Sequence, residues 1–138
     1  MSKLTRDNAI LPFHTVYDYS DKIGFPVELQ IGSTVNVALW ESGAPAPVGV
    51  ILGGDAEQAS VALCHGGLSG TVKVKLVEAV SPGDLLYLAQ NNGVAAFASY
   101  TEQNFAGNTF LCAQALEAGV EGELVEAVLF RPEAVTIA

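Results

Sequence analysis

At 138 residues, 50% hydrophobic and 15% charged, the chain has the length of one domain and enough apolar content to bury a core, which excludes a disordered segment. The formal net charge of −9, from 15 acidic and 6 basic residues, argues against nucleic acid or an anionic membrane as partner, because both need clustered Lys and Arg. Two cysteines without a C-x-x-C spacing exclude a four-thiolate metal site, and no apolar run is long enough to span a membrane.

The opening text, MSKLTRDNAILPFHTVYDYSDKIG, lacks the apolar core of a signal peptide, so synthesis and first folding are expected in a cytoplasm. Residues 1–25 show neither a two-residue nor a 3.6-residue period, yet hold Phe13, His14, Tyr17, Tyr19 and Phe25. They read as an extended N-terminal arm. A row of aromatics must pack on something, either the chain's own β domain or a partner.

From Pro26 to the C-terminus the pattern is that of strands. Val27, Leu29 and Ile31 share one face; Val35, Val37 and Leu39 repeat the alternation, and Trp40 closes that strand on the other face. ESGAPAP is a loop, because its glycine and prolines do not suit a central strand. VGVIL reads as a short buried strand, GGDAEQA as a surface turn with one helical turn at Ala56–Ala59, and SVALCH as a strand before the loop GGLSG. In TVKVKL the apolar Val72, Val74 and Leu76 alternate with Thr71, Lys73 and Lys75, a half-exposed strand whose lysines discourage edge pairing.

Pro82 and Gly83 suit the centre of a type II turn, and Asn92-Gly93 is a two-residue hairpin signal. They bracket the strand DLLYLA, which returns as VAAFA; TFLCAQAL and ELVEAVLF follow, the latter expected to stop at Pro132. Leu52–Leu63 and Leu116–Ala127 share a plan of strand, acidic glycine-bearing turn and strand. The sum is an all-β protein, a small barrel or sandwich of about nine short strands over residues 26–138, preceded by the arm.

Reactive constellations are scarce. Cys64 and His65 are neighbours on a strand and so point to opposite faces, which argues against a nucleophilic pair. Cys64 and Cys112 read as reduced, buried small hydrophobes, with a disulfide between them left open. HGGLSG lacks the Lys-Ser/Thr sequel of a phosphate loop, and Ser69 lacks the glycine of a nucleophile elbow. Asp55, Glu57, Glu117, Glu121 and Glu123 lie on turns without calcium-loop spacing and read as solvated rims. No catalytic residue, cofactor or metal is expected, and the function falls to binding or structure. One such reading is a carbohydrate or cell-surface module with Trp40, Tyr87 or Tyr100 as stacking platforms.

TVKVKLVEAVSPGDLLYLAQNNGVAAFA followed by CAQALEAGVEGELVEAVLF resembles the small capsid decoration, or cement, proteins of tailed bacteriophages. That family's V-K-V strand, G-D-L-V strand start, G-V hairpin and A-L/G-E-x-V close correspond here to Val72–Leu76, Pro82–Leu88, Asn92–Val94, Ala115–Ala118 and Gly122–Leu129. The likeness runs from about Pro47 to Phe130; Gln114, where the family carries glycine, and Glu126 depart from it. The resemblance implies a β-barrel protein on the outside of an icosahedral head in the virion, as a homo-oligomer with a trimer favoured, clamping major capsid protein subunits. The arm carries no motif of that family, but on this reading its Phe13, His14, Tyr17, Tyr19 and Phe25 are the candidate capsid contacts. Leu85, Tyr87 and Phe97 become candidate subunit-interface residues, because both faces of their hairpin are apolar.

Overall fold

A computed structural model describes residues 10–31, 35–64, 71–91 and 93–138. Among them are ten strands and no helix: β1 (Ile10–His14), β2 (Pro26–Ile31), β3 (Val35–Leu39), β4 (Gly49–Gly54), β5 (Gln58–Leu63), β6 (Val72–Lys75), β7 (Leu85–Asn91), β8 (Val94–Ser99), β9 (Gly107–Ala115) and β10 (Leu124–Ile137). They form a closed barrel in the order β1-β3-β2-β4-β5 and a five-stranded sheet in the order β6-β10-β9-β7-β8. The all-β class holds, with the single expected barrel resolved into two bodies.

The two bodies are built on one plan. In the first, β1 runs antiparallel to β5 and parallel to β3, and the hairpins β2–β3 and β4–β5 meet through β2 and β4. In the second, β6 runs antiparallel to β10, and the hairpins β7–β8 and β9–β10 meet through β7 and β9. Just beyond β6, a parallel bridge from Leu76 to Phe97 brings it against β8, and the Val77 N–H donates to the Phe97 carbonyl at 2.9 Å. Strands six to ten therefore repeat strands one to five. Register makes the match residue-specific: Val27 lies between Leu39 and Gly49, and Leu86 lies between Ser99 and Ala113. The echo between Leu52–Leu63 and Leu116–Ala127 falls on the equivalent hairpins β4–β5 and β9–β10.

Alternation sorts the side chains into cores. Val27, Val37, Ile51 and Val61 fill the first barrel with Tyr19. The opposite faces of β4 and β5 present Val50 and Ala62, which join Trp40, Val74, Leu76, Leu86, Leu88, Phe97 and Val125 in one cluster shared by both sheets. This double burial explains why VGVIL is apolar at nearly every position.

Residues 10–25 are not a separate arm. Ile10–His14 is a barrel strand, Tyr19 sits in the barrel core, and Phe25 is buried; the tertiary ring supplies β1 with partners on both sides that its irregular sequence does not announce. Residues 1–9 lie outside the described residues. The expected helical turn at Ala56–Ala59 is instead a turn in which the Asp55 carboxylate accepts from the N–H groups of Glu57 and Gln58, while Ala59 already belongs to β5. Nor does Pro132 end the last strand. The pairing of β10 with β9 shifts between Leu129 and Glu133, so Pro132 lies in an irregularity where no ladder N–H is required of it.

Asp84, the single charge between Ser81 and Phe97, is a structural staple. Gly83 has φ +89°, the positive value a type II turn needs at that position. The Asp84 carboxylate accepts from the Ser81 N–H and, at 2.9 Å, from the hydroxyl of fully buried Ser99. Gln114, at a departure from the family text, donates its amide to the Gly83 carbonyl. Ser99→Ala is expected to cost about 1–3 kcal/mol by leaving the Asp84 oxygen short of a donor; the shift in urea midpoint at unchanged slope measures it.

Candidate functional site

The first barrel carries a cleft of about 550 Å³ on its outer surface. The connection after β1 forms one wall through Val16, Tyr17 and Tyr19; Glu28 and Gln30 of β2, the Val37–Leu39 edge of β3, and Glu41 form the remainder. Strand alternation builds the floor. Val27 and Val37 point into the barrel, so Glu28 and its cross-strand partner Ala38 face outward. The Tyr19 hydroxyl accepts from the Leu39 N–H at 3.4 Å, which ties the wall to the floor. Tyr17 stands over this arrangement, 68% exposed, with its ring 6.4 Å from that of Tyr19.

The cleft is acidic. Its described lining holds two carboxylates, Glu28 and Glu41, and no lysine, arginine or histidine. Burial holds the Glu28 carboxyl above its ordinary pKa; the Glu41 N–H pulls it back down, and the Glu41 carboxylate pushes it up. Oε2 of Glu28 is buried without a hydrogen-bond partner. A cleft with two acidic groups, a primary amide and two phenol rings has the chemistry to bind a donor-rich or cationic group.

The capsid-contact candidates are divided by the fold. Tyr17 and His14 are exposed, and Phe13 is half-buried against the barrel core. Tyr19 and Phe25 are core residues, which removes them as contacts: their rings are spent on this chain's own packing. The interface candidates divide likewise. Leu85 is 38% exposed, whereas Tyr87 and Phe97 are fully buried within the single chain. Phe97 lies in the shared core. The second apolar face of the β7–β8 hairpin, expected to meet a neighbouring subunit, is covered by the chain itself: Tyr100 and Phe105 of the following loop pack against the cluster that holds Tyr87, Ala98 and Ile137. The Tyr87 hydroxyl accepts from the Phe105 N–H at 3.1 Å.

The stacking platforms fare similarly. Trp40 is 2% exposed and donates its indole N–H to the Pro45 carbonyl, Tyr87 is buried, and Tyr100 is half-buried edge-on against it at 6.3 Å. The turn carboxylates act as backbone staples: Glu117 accepts from the Glu126 N–H, and Glu123 from the Val120 N–H. The Glu126 N–H and, secondarily, Lys73 at 3.5 Å hold the Glu117 carboxyl below its ordinary pKa. Among the described residues no three of His, Cys, Asp and Glu gather to hold a metal ion. Cys64 and Cys112 are free and buried; a hydrogen bond with Cys64, followed by burial, keeps the Cys112 thiol well above its ordinary pKa. His65, the GGLSG loop with Ser69, and Asn92 lie outside the described residues.

Val16, Glu28, Gln30 and Glu41 were not among the residues singled out on sequence. Alternation in VELQI puts Glu28 and Gln30 on one face, but only the crossing of Val16–Tyr19 over that face makes it concave.

No protein-family model matches the chain, and no curated protein matches it. Among solved structures the fold is similar to that of the head fiber gp8.5 N base of bacteriophage phi29, at a TM-score of 0.55 and 15% sequence identity, over 87% of this chain and 92% of that one.

Proposed function

We propose that this chain is a structural protein of a phage particle that attaches to the outside of the head as a capsid decoration protein, bridging major capsid subunits and acting as a homo-oligomer. The observation that carries this reading is the fold held in common, along most of both chains, with the base of a protein named as a head fiber. The V-K-V, G-D-L and G-E-x-V elements, which lie on β6 and at the starts of β7 and β10, point the same way from an independent direction. The surface offers apolar groups for such contacts: Val16 and Tyr17 are each 68% exposed, and Leu85 offers a further apolar group at the second sheet. A net charge of −9 suits a component of a particle that stays dispersed.

Co-sedimentation of the purified protein with heads that lack it tests the reading. Saturable binding is expected. Replacing Val16 and Tyr17 together by serine is expected to weaken it by about tenfold or more, since exposed aromatic anchors carry much of an interface's energy. Circular dichroism would confirm that the variant remains folded. Heads that sediment free of the wild-type protein would remove the proposal.

A further inference from the structure

We infer that the cleft over β2–β3 is a docking site for an extended segment of a partner protein that presents a basic side chain, arginine or lysine. This goes beyond attachment to a head, because it assigns a site and the chemistry of its occupant.

The internal repeat supplies the first ground. Register equates Val27 with Leu86, and therefore Glu28 with Tyr87 and Ala38 with Ala98. In the second sheet this outward face is covered by the chain's own loop after β8, with Tyr100 edge-on to Tyr87 and the Phe105 N–H on its hydroxyl, in one cluster with Ala98. In the first barrel the equivalent face is the floor of the open cleft. The fold thus shows what a covered version of this face looks like: main chain laid across it, its N–H meeting the side chain at the Tyr87 position, as the Phe105 N–H does.

Charge supplies the second. Where the second sheet has a phenol, the first has the Glu28 carboxyl, with Oε2 buried and unpartnered. Glu41 adds a second carboxylate, and no basic residue lines the cleft among the described residues. A buried acceptor beside another anion gains most from a cationic donor, which neutralises both and makes short charge-assisted hydrogen bonds. The ring of Tyr17 offers a π-face to the same group, a second preference for a cation over a neutral ligand. A guanidinium, planar and rich in donors, fits two carboxylates better than any uncharged group.

The test is an NMR titration of the isotopically labelled full chain with a blocked peptide holding one arginine between valines and threonines. The control is the same peptide with citrulline, which keeps the shape and loses the charge. Shifts are expected at the amides of Tyr17, Glu28 and Glu41, with citrulline weakening binding by about tenfold or more. Glu41→Gln, on an exposed side chain, is expected to weaken the arginine peptide comparably without lowering the melting temperature, and Glu28→Gln to do the same. Equal binding of the citrulline peptide would overturn the inference. So would shifts confined to another face, silence at about 10 mM peptide, or perturbation of the cleft by a neutral oligosaccharide and not by the arginine peptide. Peptide binding without head binding would leave this inference standing and remove the phage-head reading; head binding without peptide binding would do the reverse.

Discussion

Gly49→Ala is expected to lower the melting temperature by about 10 °C or more, measured by calorimetry. Gly49 lies in β4, paired to Leu63 on one side and Val27 on the other, so it is held within the closed barrel by both neighbours. A Cβ at this position would stand 2.1 Å from the Ala62 carbonyl oxygen and 2.7 Å from Cγ1 of Val61. The added atom has no rotamer to change, and the nearest obstacle is backbone of the adjacent strand. Overpacking usually costs about 1–3 kcal/mol where side chains can give way, and a clash with a ring-closed backbone belongs at or above the top of that range. Gly53→Ala is the internal control. It lies on the same strand, its Cβ would meet nothing within 4 Å, and its stability is expected within about 0.5 kcal/mol of the parent. Equal effects at the two positions would refute the steric account.

Trp40→Ala is expected to destabilise both halves together, by about 3–5 kcal/mol. Trp40 follows β3 of the first barrel but packs edge-on against Phe110 of β9, ring centroids 6.3 Å apart at 88°, and belongs to the cluster that spans both sheets. Its indole N–H donates to the Pro45 carbonyl at 2.9 Å, anchoring the loop that leads into β4. The loss is a large part of the roughly 5–15 kcal/mol that stabilises a domain of this size. Because one cluster contains residues of both repeats, the variant is expected to unfold in a single transition at a lower denaturant midpoint, followed by far-UV circular dichroism. In the wild-type protein the sole tryptophan makes the complementary check. Its fluorescence and the far-UV signal should change at the same midpoint. Two separate transitions would show that the repeats are independent bodies merely joined in sequence.

Strand identity was legible in the sequence wherever one face was apolar and the other polar. Val72, Val74 and Leu76 are buried and Lys73 is exposed, as TVKVKL requires. The turns were legible for the same local reason: the residue at position 83 must adopt a positive φ, and glycine does so without cost. The N-terminal segment was not legible. ILPFH has no strand period, and it becomes a strand because β5 and β3 offer hydrogen bonds on either side of it. The reach of β10 past Pro132 was hidden likewise, since an irregularity in pairing is a property of two strands and not of one.

The candidate site was the least legible part. Its carboxylate floor comes from β2 and the residue after Trp40, its aromatic wall from the connection after β1, and no spacing in the sequence ties the three. Tyr17 and Tyr19 illustrate the limit. Two residues apart in one irregular segment, they read alike, yet one ring is exposed at the cleft and the other lies in the core. The cover over Tyr87 was likewise hidden: apolar residues on both faces of its hairpin require a second cover, and only the fold shows that this chain's own loop supplies it.

By itself the sequence determined an acidic all-β chain, most of its strand faces and its tight turns, because those follow from charge count, two-residue alternation and the steric freedom of glycine. The tertiary structure alone decided that the strands form two bodies of one plan, that the first closes through β1, and that one equivalent face is covered while the other stays open. Those outcomes depend on which distant strands pair and which segments cross them, and local side-chain chemistry does not encode pairings between residues far apart in the chain.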